Sequence, residues 1–563
     1  LVTYPLRIRK VKPRLLLAAV LAVIAVVAAI VVAVAGTGGD TSTANKPAGL
    51  SAKPVPGEAA PVAGTSLTSY GVTANWMIAE NKKPGSPAWR ISDTPKTGTI
   101  EGFANQVYAS AGQSVTLYVN TSAPHFHVDA YRVGYYGGAG ARLVWSSKQQ
   151  TGKAQPTCPL TPGVNMVSCD NWTPSLTVPI TAAFVQGDYL FKLTGADNEQ
   201  SYVPLTVWDP NSHGAYLFKN DVFTWQAWNP YGGYDYYVGV GACPKNVYPL
   251  CTRARVVSYD RPYAFDDAGG QGTGDFRWLE LPLVQFMEQH GLDVSYVTDL
   301  TVAEHPEILA DHKALLSEGH DECWSLPERQ AATAANAKGL NLAFFGASGV
   351  LRHVRSQASP LGNDRELVDY RDSTQDPLNG KGDPKAVTGN TWSAPPASWP
   401  ETDFVGEAYN GFLEPEVRAN LTVVDASAWI FKGTGLQNGA VLGDAIGSDV
   451  DSLQPRATHP ANVQVLAHSA LPANQAQANT KMGNVFYSDM TYYADPTSKA
   501  GVWDSGTNNW IPALLAGGGE TDATAKLVQQ ITGNLFWLIG QGPAGAIQPS
   551  TANWAQFYPG VKG

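Results

Sequence analysis

The sequence predicts two folded regions in series: an all-β, immunoglobulin-like sandwich over 67–208, then an α/β doubly wound domain over 212–543. Three observations carry that prediction. Short apolar–polar alternations recur before residue 208, punctuated by Gly, Pro, Asn and Asp, as an antiparallel sandwich requires. The stretch 312–346 reads strand, polar turn, helix, strand. Strand and helix patterns alternate along 215–345, the order of a mostly parallel sheet.

Before the sandwich, Arg7, Arg9, Lys10, Lys12 and Arg14 precede an uncharged apolar run of 21 residues, 15–35. At about 1.5 Å per residue, a helix of that length crosses a bilayer. The basic flank 1–14 stays in the cytoplasm, so the body is expected outside. The length of the run favours an uncleaved membrane anchor. Ala33-Val34-Ala35 has the form of a cleavage site, so a cleaved signal peptide and a secreted body are the alternative. Residues 36–66 are rich in Gly, Ala, Pro, Ser and Thr without an apolar period and read as a flexible linker.

Net charge is −10, and the first fourteen residues hold five bases and no acid, which leaves about −15 on the remainder. Such a body repels nucleic acid and anionic headgroups, so no nucleic-acid partner is expected. Low charge content with abundant Gly, Pro, Trp and Tyr suits a β-rich, loop-rich extracellular protein. Cys158 lies near Cys169, and Cys243 near Cys251, so two local disulfides are the simplest pairing, with Cys323 left over.

Sandwich strands are expected at 106–109, 114–119, 127–131, 175–178 and 189–193. The Gly- and Tyr-rich stretch 131–142 suggests a tight turn with exposed aromatics. It reads either as a sugar- or partner-binding loop or as a corner packed on the second domain.

The second region opens with a strand at 215–219. A loop over 224–237 then crowds Trp and Tyr among glycines; phenols carry a polar tip on an apolar body and, as phenolates, are hard oxygen ligands. Pro282 opens a helix with Leu283, Phe286 and Met287 on one face, stopped by Gly291, and 294–297 is a strand. Ala314, Leu315 and Leu316 form the short apolar run of a strand buried on both faces. Gly319 lets the chain turn, and Ser325 with Glu328 has the spacing of a capping box that starts a helix. Gly339 closes that helix, and 340–345 is the next strand. Parallel pairing of the two strands makes a βαβ unit, and ligands bind beyond the carboxyl ends of such strands. His320, Asp321 and Glu322 are expected there. Three titratable groups in a row are costly unless solvated, paired or on a metal. Residues 356–460 read as loop-rich, with an acidic run at 444–451. Final strands are expected at 484–488 and 500–504, then a closing amphipathic helix at 522–540 and a tail over 544–563.

Gly319-His320-Asp321-Glu322-Cys323-Trp324-Ser325 resembles the G-H-D-E-Y-W-S signature of the N,N-dimethylformamidase large (β) subunit family. Four further stretches, 131–144, 224–237, 257–263 and 341–347, resemble that family too. The resemblance implies a class I glutamine-amidotransferase-like catalytic domain and an amidohydrolase with one iron held by two tyrosines and a glutamate. Carried onto this chain, the ligands are Glu322, Tyr237 and Tyr263. His320 and Asp321 fall in the active site, and Asp449 matches a second acidic residue. His320 would hand a proton to the departing amine and Asp449 would orient water. The chain departs from the family at Cys323 (usually Tyr), Trp228 (usually Tyr), the segment after Ala347, and Asp449 (usually Glu).

These readings point first to a membrane-anchored, extracytoplasmic, metal-dependent amidohydrolase acting on a small amide or cell-envelope substrate. The alternative is a non-catalytic cell-envelope protein whose aromatic loops bind carbohydrate or protein. A cysteine hydrolase using Cys323 is a third reading. Homo-oligomer formation is left open.

Overall fold

Two-sided burial shapes the β-rich region. The computed structural model describes residues 64–559 apart from 92–98, 242, 244–248, 265–271, 415–416, 472–475, 479–484 and 516–520, so the expected membrane segment at 15–35 lies outside the described residues. All described residues belong to one compact unit. The strands here are β1 (Ile100–Ala104), β2 (Tyr108–Ala109), β3 (Ser114–Thr121), β4 (His125–Val133), β5 (Ala141–Ser146), β6 (Leu176–Pro179), β7 (Gly187–Gly195) and β8 (Gln200–Val207). One sheet runs β6-β3-β1 and the other β2-β8-β7-β4-β5. Val115, Leu117, Phe126, Val128, Phe191 and Val203 fill the space between them. The alternate residues Tyr131, Val133, Leu190 and Tyr202 pack into the core of the α/β region instead. Successive side chains of a strand point to opposite faces, so the larger sheet is covered on both.

The α/β region begins with β9 (Tyr216–Asn220), α1 (Val222–Ala227), β10 (Val256–Ser258), α2 (Leu281–Gln289), β11 (Val294–Thr298), α3 (Asp299–Glu304) and β12 (Ala314–Ser317). It continues with β13 (Cys323–Ser325), α4 (Leu326–Asn336), β14 (Asn341–Phe344), β15 (Arg352–Ser359), β16 (Gly362–Val368), β17 (Ala408–Leu413) and β18 (Asp449–Ser452). Last come β19 (Gln464–Leu471), β20 (Phe486–Ala494), β21 (Gly501–Asp504) and α5 (Asp522–Ile539). The main sheet has seven strands in the order β11-β9-β12-β14-β21-β20-β19. Neighbours from β11 to β21 are parallel, while β20 and β19 extend the sheet antiparallel. Tyr216, Phe218, Leu316 and Ala343 face α2 and α5; Leu217, Leu315 and Leu342 face α3 and α4. The result is a mixed α/β domain with a largely parallel sheet. Its strand order reverses between β9 and β12, which is where a doubly wound sheet opens a ligand crevice.

The expected βαβ unit is present: Ala314 to Ser317 pair with Asn341 to Phe344 in parallel register. The Ser325 hydroxyl accepts from the Glu328 amide, and the Glu328 carboxylate accepts from the Ser325 amide, so the capping box starts α4. Gly339 takes φ +107°, the left-handed turn that ends it.

The stretch 356–460 is loop-rich, as expected, with short strands set in it: β15 and β16 form an antiparallel hairpin, β17 pairs with β18, and 418–422 pairs with 441–447. Of the two readings of 131–142 the corner holds: Tyr131 and Tyr136 are buried, not exposed, and buried Arg132 bonds Glu288 on α2. The end of the chain is more than a tail, since Tyr558 is buried and its phenol donates to Asp489. Among the described residues no helix is long and apolar enough to cross a membrane.

Candidate functional site

The chain turns between β12 and β13: Gly319 sits at φ +30°, and the Glu322 amide donates to the His320 carbonyl at 2.8 Å, a three-residue turn centred on Asp321. His320 and Glu322 go one way and Asp321 the other. His320 Nε2 lies 3.9 Å from Glu322 Oε2, whereas Asp321 Oδ2 lies 2.7 Å from Lys219 Nζ and accepts from the Ser317 hydroxyl at 2.6 Å.

Glu322 is 3% exposed and surrounded by donors. Its Oε2 accepts from the Tyr237 phenol and from the Trp228 indole N–H at 3.0 Å. Its Oε1 accepts from Arg352 Nε at 3.1 Å. Local structure brings these together: Trp228 caps the carboxyl end of α1, and Arg352 stands opposite Cys323 in the parallel pairing of β15 with β13. Trp228 and Tyr237 stack with ring centroids 3.6 Å apart, and the Arg371 guanidinium lies 4.1 Å from the Tyr237 ring centre. Burial opposes the charge of Glu322, but Arg352, His320 and Arg371 with the Tyr237 hydrogen bond outweigh it and lower its pKa to about 2.

His320 also lies 3.5 Å from Asp449 Oδ2, and that oxygen accepts from the Ser348 hydroxyl at 2.6 Å. Burial favours the neutral ring, yet Asp449, then Glu322 and Asp275, keep it protonated with a pKa raised to about 10. Asp275 is buried just before the π-helical turn Phe276–Glu280, with no hydrogen-bond partner on either carboxylate oxygen. Burial raises its pKa to about 7 against the opposing charge of His320.

Asp221, Asp299 and Asp321 form a second, buried group whose oxygens lie within 4.8 Å of one another and could hold a metal ion. The Lys219 ammonium already stands among them, 2.7 Å from Asp321, 3.2 Å from Glu328 and 3.5 Å from Asp221, and bonded to Asp299. Burial raises the carboxyls of Asp221, Asp299 and Glu328, so one ammonium and retained protons neutralise the group.

The Tyr263 ring meets Trp225 edge-on at 6.5 Å. Cys323 is buried in the main core, and burial with the Glu322 charge drives its thiol pKa well above 9, so it is an inert thiol and no nucleophile. An iron held by Glu322, Tyr237 and Tyr263 does not fit these residues. Three proton donors already approach Glu322, Trp228 offers an indole N–H with no lone pair for a metal, and Tyr263 is not among the groups bonded to Glu322.

A cleft of about 690 Å³ adjoins the site at Arg352 and Tyr409, and its walls include Asn410, Gln454, Tyr487 and Tyr558. Sequence reasoning missed Arg352, Arg371, Ser348, Tyr409 and Asp275. The departure after Ala347 was the one available signal, since it carries Ser348 and Arg352. Both expected disulfides, Cys158–Cys169 and Cys243–Cys251, are formed and suggest an extracytoplasmic body.

No curated protein matches the chain. Among solved structures, an uncharacterized protein from Bacillus anthracis str. Ames is 16% identical with a TM-score of 0.13, over 21% of this chain and 98% of that one. Murine CEACAM1b is 12% identical with a TM-score of 0.11, over 21% of this chain and 62% of that one. The family described as N,N-dimethylformamidase beta subunit-like, C-terminal, matches residues 127–523, well over half of the sequence, and the chain belongs to it.

Proposed function

We propose that this protein hydrolyses an amide C–N bond of a substrate outside the cytoplasm, tethered through residues 15–35. The observation that carries this reading is the His320–Asp449 pair at 3.5 Å, beyond the carboxyl end of β12, in a chain of an amide-hydrolysing family. Asp449 is the base. Its carboxylate takes a proton from water, the water oxygen adds to the amide carbonyl carbon, and the C–N bond breaks. The protonated His320 supplies the proton that the departing amine needs. Arg352, on the wall of the cleft, offers a positive charge to an incoming carbonyl oxygen. No step is routed through a metal.

Amine release by the purified full chain from a panel of N-alkyl amides and N-acyl amino acids tests the reading. His320→Ala and Asp449→Asn should each slow turnover about 10²- to 10⁴-fold while leaving the melting temperature within a few degrees. The aromatic wall of the cleft, with Tyr409, Tyr487 and Tyr558, favours a second reading, a binding protein. Binding of panel members with no amine released from any of them would favour that reading.

A further inference from the structure

We propose that the Glu322 centre of this chain is metal-free, with the Arg352 guanidinium and the Trp228 indole holding the carboxylate where a metal would otherwise hold it. The inference stands on the donor set around Glu322 and is independent of whether the protein hydrolyses amides.

A carboxylate that binds a metal must turn a lone pair toward it. Glu322 Oε2 is already approached by the Tyr237 hydroxyl and, at 3.0 Å, by Trp228 Nε1; Oε1 is approached by Arg352 Nε at 3.1 Å. Each of these groups donates a proton. A phenol ligates as phenolate, but Tyr237 here spends its proton on Glu322. The indole nitrogen is a donor only. Arg352 is anchored on its far side as well, through Nη1 to the Asn390 backbone carbonyl at 2.7 Å and side-chain oxygen at 3.1 Å. It is therefore a fixed cation. Arg371, 4.1 Å from the Tyr237 ring centre and bonded to Asp369 at 3.2 Å, is a second. Both repel a metal cation, which carries at least two positive charges. The site has therefore exchanged a metal cation for two organic ones, and Arg352 and Trp228 are positioning residues for Glu322.

Elemental analysis and visible absorption of the full chain, purified after growth with added iron, zinc and manganese, test this. The expected result is well under one metal per chain, no tyrosinate-to-iron absorption band, and no change on Glu322→Gln. About one metal per chain that Glu322→Gln or Tyr237→Phe removes overturns the proposal. Metal that survives Glu322→Gln and is lost on Asp321→Asn belongs to the Asp221 group and supports it. A Trp228→Tyr, Arg352→Gln variant, checked for folding by circular dichroism, should gain iron and the absorption band; if it stays iron-free, the roles given to these two side chains fall. Should that variant not fold, the wild-type and Glu322→Gln counts decide alone.

Discussion

Arg132 on β4 and Glu288 on α2 meet at 2.6 Å with both side chains fully buried. Arg132 also donates to Glu288 Oε2 at 3.0 Å and to the Tyr136 phenol at 2.8 Å, while the Tyr296 phenol donates to Glu288 Oε1 at 2.8 Å. This network fastens the larger β-sheet to the α/β region. Removing one partner leaves the other charge buried and unmatched. Glu288→Leu should therefore cost about 3–5 kcal/mol, read as a lower urea midpoint at unchanged slope. Adding Arg132→Met to it should recover part of the loss, because two apolar side chains bury no unpaired charge.

The charge state of His320 can be read directly. Burial alone would lower its pKa below 6.5, and it is the Asp449 carboxylate, then Glu322 and Asp275, that raise it to about 10. Asp449→Asn removes the first-named of these anions. In histidine-labelled nuclear magnetic resonance the ring of the variant should titrate well below the wild-type value, back toward the ordinary histidine range. A wild-type ring that titrates near 6.5 would contradict the ion-pair geometry.

The βαβ unit around β12 was legible because its signals are local. Ala314 to Leu316 show burial on both faces, Ser325 and Glu328 show the cap, and Gly339 shows the stop, all within one window of sequence. The start of β20 was legible, but β19 and the strands between 352 and 452 were not, because segments such as 352–359 and 362–368 are rich in polar residues and lack a clean apolar alternation. Tyr237 beside Glu322 followed from the motif. Arg352 and Asp275 did not, since only the folded path of the chain brings them there. Asp321 was not legible either: the tight turn centred on it sends its carboxylate to Lys219, while His320 and Glu322 lie together.

Asp275 gives a stability signature in pH. Its pKa is about 7 in the fold and 3.8 as an ordinary carboxyl, so between these values the folded state holds a proton that the unfolded state has lost. Stability contributed by this group is therefore full below about pH 4, falls as pH rises toward 7, and is constant above. Asp275→Asn cannot ionise and escapes the loss. The unfolding free energy of the variant minus that of the wild type, from urea melts, should grow between pH 4 and 7 and then level off, at a plateau on the order of a few kcal/mol. A difference that stays flat across this window would mean that Asp275 is not held neutral.

The turn that presents His320 and Glu322 depends on a backbone contact that no side chain can enter. A Cβ at Gly346 would lie 1.4 Å from the Gly319 carbonyl oxygen, where the ends of β12 and β14 touch. Gly319 itself sits at φ +30°, so it cannot rotate away at low cost. Gly346→Ala must push the two strand ends apart, and the expected loss is more than about 4 kcal/mol. Gly362 makes the matched control, because its added Cβ meets nothing nearer than Arg365 Cγ at 3.6 Å. Gly362→Ala should melt within a few degrees of wild type and leave the His320 titration unchanged. If Gly346→Ala did the same, the close approach of the two strand ends would not be what fixes the site.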